Sequence, residues 1–414
     1  MHRIAVVHDM GSAGVLDIVD ALQGFAVPVF VCPDSELIDQ PTDLIQEVGI
    51  LCDIAGLTLE EATERIRAFG PEAIVTFSEY QLERTAQLAD RLGLLSHAPD
   101  RIESLTRKHT QRELLNAAGV SSVSTRLVHD ERSARQALAE IGGPAILKPD
   151  RGTGSRSTYP VDSLEELAGA CAEVFPSGAE AGDATERFVL EQRIPETETE
   201  WPWGDYVSVE SAVLRGEVTH IAVTGKFPLA EPFRETGSFL PADLSEALRA
   251  EVLDTASRAI RALGVQNGLC HTEIKFSPQG PQVIEVNGRL GGRIHELLHR
   301  ATGINAIELA ARIAWGDETA VRGIDMSGFR SIAFLYAKVP HPEAKRLRGV
   351  RGVEQLRKRP GITRVHVHQE PGDHLDWRSG RLGNIYVCYG SVPTHEELAQ
   401  LIVDIEEIVQ IDCD

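Results

Sequence analysis

Residues 1–100 alternate short apolar runs with segments of helical periodicity, and this alternation constrains the fold more than any other feature of the chain. The runs have the length and β-branched content of buried strands, and the segments between them repeat apolar residues at helical spacing. The predicted strands are RIAVVH, AVPVFVC, GILCDI and AIVTF, and the predicted helices are VLDIVDAL, LEEATERIRAF and YQLERTAQLADRLG. Strands that alternate with helices in this way usually pair in parallel. We therefore expect a βαβ-type unit with a mostly parallel sheet.

The rest of the chain mixes strands and helices in a less regular order. A helix is predicted from about residue 104, and strands such as AILKP and FVLEQRI follow it. Residues 328–414 contain the predicted strands SIAFLYAKV and NIYVCYG and close with the helix THEELAQLIVDIEEIV. A chain of 414 residues is long enough for two to four domains, so we expect a multidomain protein with α/β and α+β parts.

The composition argues against several classes of protein. The 42% hydrophobic and 25% charged residues are typical of a soluble globular protein, and no apolar stretch reaches the ~18 residues of a spanning helix. A net charge of −21 disfavours nonspecific binding to nucleic acid or to membrane surfaces, since both are polyanionic. Six cysteines without a C-x-x-C pair form neither a disulfide framework nor a zinc ribbon. The start of the chain lacks a secretory signal, so we expect a cytoplasmic protein.

Two neighbouring segments, HTEIKF (271–276) and VIEVNGRLGGR (283–293), carry the strongest chemical signal. The short turn between them predicts a hairpin. Alternation along a strand places Glu285 and Asn287 on one face together with Val283, with Ile284 and Val286 in the core behind, and Glu273 on the adjacent strand. Two carboxylates and an amide oxygen form the kind of hard-oxygen site that Mg²⁺ prefers, with Mn²⁺ as a second candidate. The alternative is a solvent-facing polar strand edge.

HTEIK followed by IEVNGRLGG resembles the ATP-grasp superfamily, and within it the carboxylate–amine ligases that couple L-amino acids. The resemblance implies an ATP-grasp fold preceded by a Rossmann-like (pre-ATP-grasp) domain. The implied domains are residues 1–103 for that first domain, 104–190 for a small ATP-binding domain with a glycine lid, 191–327 for a large domain with the metal site, and 328–414 for a C-terminal α+β subdomain packed on it.

The resemblance also assigns residues that contact ATP. RKHTQRELLNAAGV (107–120) is similar to a family helix in which Lys108 would contact ATP, although Arg107 stands where the family has Asp. AILKPDRGTGSRS (145–157) resembles the strand and lid over the phosphates, which a glycine turn can cradle with its backbone N–H groups. The resemblance implies that Lys148 contacts the ATP phosphates and that Gly152, Gly154 and Ser155 belong to the flexible lid over them.

FVLEQRI (188–194) resembles the hinge strand that meets adenine. The resemblance implies that the backbone around Glu191, Gln192 and Ile194 contacts the base. It also places Asp205 at the position of a ribose-binding Glu, and Lys226 near the active site.

The implied activity is transfer of the γ-phosphoryl group of ATP to a substrate carboxylate, followed by attack of an amine on the acyl phosphate. Arg289 would stabilise the oxyanion and Arg293 would grip a substrate carboxylate. The partners would be a small carboxylate and a small amine, and because dimers are common in that superfamily the resemblance allows a homodimer. Two other functions stay open: a carboxylase that uses bicarbonate, and a degenerate nucleotide-binding protein.

Two histidine patterns point towards metal chemistry of another kind. His295–His299 reads H-E-x-x-H, the zincin motif, but it directly follows the paired glycines where a helix lining the acceptor pocket is expected. We therefore interpret it as part of that helix. His366 and His368 alternate on a predicted strand, and without a third ligand they are interpreted as surface residues.

Overall fold

The computed structural model describes residues 1–34, 41–175 and 187–414. The first sheet has the order β3-β2-β1-β4, and all its pairs are parallel, as the alternation predicts. Ile4 and Val6 pack into one core while Ala5 and Val7 pack into another, so both faces of this sheet are covered. Its elements are β1 (His2–Val7), α1 (Val15–Leu22), β2 (Ala26–Cys32), α2 (Thr42–Val48), β3 (Ile50–Asp53), α3 (Leu59–Arg67), β4 (Ala73–Thr76) and α4 (Leu82–Leu92).

A second, antiparallel sheet has the order β5-β8-β6-β7. Two helices, α7 and α8, pack on it over a separate apolar core. Its elements and the two short helices that precede it are α5 (Ile102–Thr106), α6 (Lys108–Ala117), β5 (Thr125–Val128), α7 (Glu131–Ile141), β6 (Ala145–Pro149), β7 (Tyr159–Val161), α8 (Leu164–Val174) and β8 (Phe188–Gln192).

The largest sheet has eight antiparallel strands in the order β13-β12-β9-β10-β11-β14-β17-β16. Its first half comprises β9 (Tyr206–Leu214), β10 (Glu217–Lys226), β11 (Gly237–Leu240), α9 (Glu246–Ala262), β12 (Asn267–Lys275), β13 (Gln282–Asn287), α10 (Ile294–Thr302), α11 (Ala306–Trp315) and α12 (Glu318–Arg322). The remaining elements are β14 (Ile332–Lys338), β15 (Leu347–Arg351), α13 (Val353–Leu356), β16 (Ile362–Val367), β17 (Tyr386–Val392), α14 (His395–Ile408) and β18 (Gln410–Cys413), with β15 and β18 forming a small ribbon. Strands from residues 328–414 thus extend the same sheet. The boundaries of the four predicted domains stay predictions.

The helix predicted from residue 104 is broken in two at Arg107, whose backbone is extended (φ −118°, ψ 114°). Asp150, at the end of β6, explains the break. Its carbonyl oxygen accepts from the backbone N–H of Lys108 (2.9 Å) and its carboxylate accepts from that of His109 (3.0 Å). These bonds satisfy N–H groups that the start of α6 leaves free. The N-terminus of α6 is therefore fixed to the strand that carries Lys148.

The predicted hairpin is confirmed as β12 and β13, but one part of its alternation is wrong. The register shifts by one residue next to the pair Glu273–Glu285, because Ile274 pairs with Val283 and Ile284 is the extra residue of a β-bulge. Val283 and Val286 consequently share one buried core, whereas Ile284 faces the same cavity as Glu285. A bulge inserts a residue without altering composition, so the strand pattern does not reveal it.

Among the described residues, no helix is long and apolar enough to cross a bilayer.

Candidate active site

Glu273 and Glu285 face each other directly across β12 and β13, and Asn287 pairs with His271 one step further along. Asn287 donates to the Glu285 carboxylate (Nδ2 to Oε1, 3.1 Å). The carboxylate of Glu285 also lies 3.5 Å from Lys108 Nζ. The three oxygen-bearing side chains predicted to bind a metal are thus brought together at one edge of the large sheet.

Two side chains of α6 hold this edge strand in place. Gln111 exchanges hydrogen bonds with the backbone of Val286, donating to its carbonyl (2.9 Å) and accepting from its N–H (2.7 Å). Arg112, fully buried, donates to the carbonyl oxygens of Val283 and Ile284 (both 2.8 Å), which fixes the bulge. Because β13 is an edge strand, these bonds satisfy backbone groups that no further strand can pair.

A cavity of about 140 Å³ lies between the antiparallel four-stranded sheet (β5-β8-β6-β7) and the eight-stranded sheet, and we call it the lysine cavity. It collects residues from α6, the β6–β7 loop, the end of β8 and the hairpin. Of the residues predicted to bind ATP or metal, those that line it are Lys108, Lys148, Gly152, Gly154, Ser155, Glu191, Gln192, Ile194, Glu273 and Glu285. Ile146 and Ile284 add apolar surface.

The two lysines are held by carboxylates of opposite walls. Lys148 Nζ lies 2.7 Å from Glu191 Oε1, and Arg112 Nε lies 3.0 Å from the other oxygen of Glu191. Burial alone would raise the pKa of Glu191, but Arg112 and Lys148 outweigh it and lower that pKa to about 2. For Lys108, burial opposes the charged form, yet Glu285 and Glu79 raise its pKa. Lys108 therefore carries its positive charge into the cavity, beside the ion pair of Lys148 and Glu191.

Asp205 and Lys226 lie outside the lining of the lysine cavity. The carboxylate of Asp205 pairs with Lys275 (2.6 Å), and Glu196 is the acidic residue of that region which lines the cavity. Lys226 is buried and lies 3.5 Å from Glu235 in an adjacent space. The roles of Asp205 in ribose binding and of Lys226 in ATP binding stay predictions.

That adjacent space, the inner chamber, has a volume of about 40 Å³. It shares Glu235, Glu273, and Thr153 and Gly154 of the glycine loop (residues 151–157) with the lysine cavity. His271 lines it and bridges two carboxylates, with Nδ1 2.9 Å from Glu210 and Nε2 3.4 Å from Glu273. Burial alone would lower the pKa of His271, but Glu210 outweighs this and raises it to about 9. The chamber therefore contains a cationic imidazole at neutral pH.

Beyond the chamber lies a cavity of about 280 Å³, which we call the arginine cavity. Both predicted catalytic residues, Arg289 and Arg293, line the inner chamber and this cavity. Further lining residues come from distant parts of the chain, among them Met10, Gly11, Ser12, Glu79, Arg156, Ser379, Arg381 and Asn384. The lysine cavity, the chamber and the arginine cavity all share Thr153 and Gly154, so they lie side by side around the glycine loop, and we call the three together the cleft.

Arg289 is held by neighbours on every nitrogen. Nε lies 2.9 Å from the buried carboxylate of Glu79, Nη1 donates to the Leu290 carbonyl (2.9 Å), and Nη2 donates to Thr153 (3.0 Å) and Asn287 (3.2 Å). The guanidinium therefore joins the turn that follows β4, the glycine loop and β13. The part of Arg289 in stabilising an oxyanion stays a prediction.

The glycine loop lies closed against the segment Trp377–Gly383. Arg381 N–H donates to the Gly154 carbonyl (3.3 Å), and Ser157 N–H donates to the Arg378 carbonyl (3.3 Å). A Cβ on Gly380 would meet the Gly154 carbonyl oxygen at 2.0 Å, so only glycine allows this approach. On its other side, Arg151 donates to the Tyr80 carbonyl (2.9 Å).

Comparison with known proteins agrees with this architecture. Residues 141–296, from the turn before β6 to the start of α10, match a family model described as an ATP-grasp domain. This part of the chain is an ATP-grasp domain. The solved structure of an L-amino acid ligase from Bacillus licheniformis matches with a TM-score of 0.77 at 20% identity, covering 100% of this chain and 99% of that one. That of N5-carboxyaminoimidazole ribonucleotide synthetase from Thermotoga maritima matches with a TM-score of 0.68 at 16% identity, covering 100% of both chains.

Among curated ATP-grasp relatives, the alanine–anticapsin ligase of Bacillus subtilis (strain 168) is 30% identical over 247 residues, which are 56% of this chain and 52% of the relative. Carnosine synthase 1 of Gallus gallus is 26% identical over 253 residues, 56% of this chain and 26% of that protein. The chain spans about half the length of the first curated relatives it matches.

Several residues of this ATP-grasp cleft were missed by sequence reasoning. Glu79, Arg381 and Asn384 line it, yet no motif marks any of them, and Asn384 only begins the predicted strand NIYVCYG. Glu235 also lines it. For Glu235 the segment ETGSFL, which resembles family segments that line the active site, was a weak signal. Nothing local marks Glu79, whose partner Arg289 is more than two hundred residues away.

The H-E-x-x-H segment starts α10 of the ATP-grasp domain, as expected. His295 lies 3.7 Å from Asp17, and His299 is exposed. The Glu296 carboxylate is held by Arg300 (2.8 Å) and by Arg364. His366 and His368 are exposed, and His368 borders the arginine cavity.

Proposed function

We propose that this chain is an ATP-dependent ligase that activates a carboxylic acid as an acyl phosphate and joins it to an amine, with release of ADP and phosphate. One observation carries the proposal. The paired carboxylates Glu273 and Glu285 share a cavity with Lys148 and the glycine loop, and that cavity adjoins a small chamber which in turn adjoins a space lined by arginines. A nucleotide site and a site for an anionic substrate therefore meet at the metal carboxylates.

The lysine cavity suits ATP. Ile146, Ile194 and Ile284 offer apolar surface for the base, and the exposed backbone of the glycine loop can cradle phosphate oxygens. Lys108 and Lys148 supply positive charge close to Glu285 and Glu191. Glu273, Glu285 and Asn287 would hold Mg²⁺, or Mn²⁺ in its place, because Glu273 and Glu285 face each other across the hairpin, Asn287 contacts Glu285, and such hard oxygens are the ligands that Mg²⁺ prefers. When bound, the ion neutralises charge as the γ-phosphoryl group moves to the acid.

The reaction has two balanced steps. A carboxylate oxygen of the acid forms a bond to the γ-phosphorus while the bond from that phosphorus to the bridging oxygen of ADP breaks. The amine nitrogen then attacks the acyl carbon, the carbon–oxygen bond to phosphate breaks, and the amine loses a proton. In the second step Arg289 faces the oxyanion. The docked glycine loop covers the chamber and keeps water from the acyl phosphate.

The proposal is tested by measuring ADP release with Mg-ATP and pairs of amino acids, and by identifying products with mass spectrometry. We expect ADP release that requires both an acid and an amine, and a product with the mass of an amide. Glu285→Ala should lower turnover at least about 100-fold, as loss of a group that stabilises charge at the reacting centre does. Glu308→Ala is the matched control, because Glu308 lies on α11 in an ion pair with Arg312 outside the cleft, and it should keep turnover.

Two outcomes would contradict the ligase. ADP release driven by bicarbonate without an amine would favour the carboxylase, and ATP binding without ADP release under any condition would favour a nucleotide-binding protein. Unchanged turnover in Glu285→Ala would show that the metal site is misassigned.

A further inference from the structure

The inner chamber is much smaller than the two cavities beside it. Its volume is about 40 Å³, against about 140 Å³ for the lysine cavity and about 280 Å³ for the arginine cavity. On the proposed function, the reacting carboxylate of the acid must enter this chamber to meet the γ-phosphate. The lysine cavity is then filled by ATP. The rest of the acid therefore extends into the arginine cavity, whose volume of about 280 Å³ has room for it.

Positive charge dominates the walls of that cavity. Arg156, Arg289, Arg293 and Arg381 line it, against the single carboxylate of Glu79. Glu79 pairs with Arg289 (2.9 Å), and Arg381 lies 3.4 Å from Glu235 at its border. In a chain with a net charge of −21, a cavity with this balance is the reverse of the average surface. Such a cavity favours an anionic ligand.

Arg293 is the cavity cation whose charge stays uncompensated. Within the described part of the chain, no carboxylate lies within ion-pair distance of its guanidinium, which donates instead to the hydroxyl of Tyr389 and lies 5.7 Å from that ring. A phenol fixes a guanidinium in direction without neutralising it. Arg156 is similar, because its contact is the hydroxyl of Tyr80 (3.5 Å), but it is exposed. Arg293 is half-buried, and it lines both the chamber and the arginine cavity.

The backbone at Arg293 is also unfavourable for a side chain. Its φ of +61° lies in the left-handed region, where glycine or asparagine is the usual residue. This conformation turns the chain from Gly292 into α10 at the wall of the cavity. A strained non-glycine residue at such a site indicates a side chain with a function.

We propose that the acid activated by this ligase is a dicarboxylate, one carboxylate entering the inner chamber and the other binding Arg293 in the arginine cavity. The proposal rests on the ligase function above and adds the class of its acid. A planar guanidinium binds a carboxylate through two parallel hydrogen bonds, so it distinguishes a carboxylate from the amide of the same shape.

Hydroxylamine separates the acid from the amine, because it is a small neutral acceptor. Its nitrogen attacks the acyl carbon, phosphate leaves, and a hydroxamate forms that can be measured together with ADP. With saturating hydroxylamine and Mg-ATP, glutamate and aspartate are compared with glutamine and asparagine, and succinate with succinamate. The wild type should use at least one diacid with a KM at least tenfold below that of its monoamide.

The decisive variant is Arg293→Gln. Its matched control is Arg300→Gln, because Arg300 lies on α10, the helix that starts directly after Arg293. Arg300 pairs with Glu296 outside the cleft. Arg293→Gln should raise the KM for the diacid at least tenfold, leave the KM for the monoamide and for ATP unchanged, and change kcat less than KM. Arg300→Gln should change none of these constants. Thermal unfolding of both variants shows that they are folded.

Three results would overturn the proposal while the ligase stands: hydroxamate formed only from neutral acids, an equal fall of kcat for all acids in Arg293→Gln, or an effect of that variant confined to the KM of an amino-acid acceptor. The last would assign Arg293 to the carboxylate of the amine substrate. If no acid gives hydroxamate or ADP, the ligase function itself fails, and the dicarboxylate proposal fails with it.

Discussion

At the scale of single residues, a buried cluster of Arg112, Glu191 and Lys148 connects both walls of the lysine cavity. Arg112 contacts Glu191 on β8 and the carbonyls of the bulge on β13, while Lys148 contacts the other side of Glu191. Each charge is removed from water and depends on its partners. Glu191 was predicted for its backbone, as part of a hinge that meets adenine. Its side chain has a different role in the structure, because it binds the two buried cations Arg112 and Lys148.

Glu191→Gln should lower the free energy of unfolding by about 3–5 kcal/mol, because it leaves two buried cations without their counter-charge. Glu140→Gln is the matched control. Glu140 pairs with Arg126 on the surface, where loss of an ion pair costs only about 0–1 kcal/mol. Urea unfolding at pH 7 measures both. A cost below 1 kcal/mol for Glu191→Gln would show that the cluster contributes nothing measurable.

The ion pairs of Glu191 also predict how the stability of the protein depends on pH. The pKa of Glu191 falls from 4.5 to about 2 on folding, so its contribution is fully present above pH 4.5 and is lost as the pH falls towards 2. The difference in unfolding free energy between wild type and Glu191→Gln should therefore be constant from pH 7 to about pH 5.5 and shrink below pH 4.5. A difference that grows as the solution is acidified would have the wrong sign for a depressed pKa.

At the scale of elements, the contact between the glycine loop and the segment Trp377–Gly383 depends on Gly380. Gly380→Ala would place a methyl group 2.0 Å from the Gly154 carbonyl oxygen, so the loop must undock. We expect the KM for ATP to rise at least tenfold, since an undocked loop loses the arrangement that surrounds the phosphates. Initial rates of ADP release at varied ATP measure this.

Gly372→Ala is the control for that prediction, because it also places a side chain at a positive φ but creates no contact with the glycine loop. Gly372 also has a positive φ (+106°), and a Cβ there would meet nothing within 4 Å. Gly372→Ala and Gly380→Ala should both lose roughly 1 kcal/mol of stability from the left-handed backbone. An equal effect of both variants on the KM for ATP would mean that the docked segment has no part in the site.

Elements also show what the sequence could and could not predict. Strand alternation predicted the hairpin and the meeting of Glu273, Glu285 and Asn287, because these residues are local and the pleat fixes their faces. It failed at Ile284, because a bulge is selected by Arg112 on a helix about 170 residues away. The break at Arg107 has the same origin, since Asp150 on β6 supplies the bonds that end one helix and start the next.

At the scale of the whole molecule, the cleft is assembled from parts that are far apart in the sequence. Glu79 comes from the turn after β4, Thr153 from the glycine loop, Asn287 from the large sheet, and all three meet Arg289. The glycine loop also meets Arg378 and Arg381 from near the C-terminus. Motifs report single segments, so they identified Arg289 without its partner Glu79. The arginine cavity could not be predicted, because it exists only once several distant segments pack together.

This assembly predicts how far the effect of ATP binding spreads. A non-hydrolysable ATP analogue with Mg²⁺ at 100 times its Kd should stabilise the parts it joins by about 2.7 kcal/mol. Because the lysine cavity lies between two sheets and the glycine loop docks on Trp377–Gly383, hydrogen exchange should slow in β8, in β12 and β13, and in that distant segment.

AMP lacks the β- and γ-phosphates, so at the same occupancy it should slow exchange in β8 but not in the glycine loop or in Trp377–Gly383. EDTA should reduce the analogue's effect on β12 and β13, where Glu273 and Glu285 lie. Protection confined to one sheet, or equal protection by AMP and the analogue, would show that the phosphates do not connect the lid, the metal strands and the C-terminal segment.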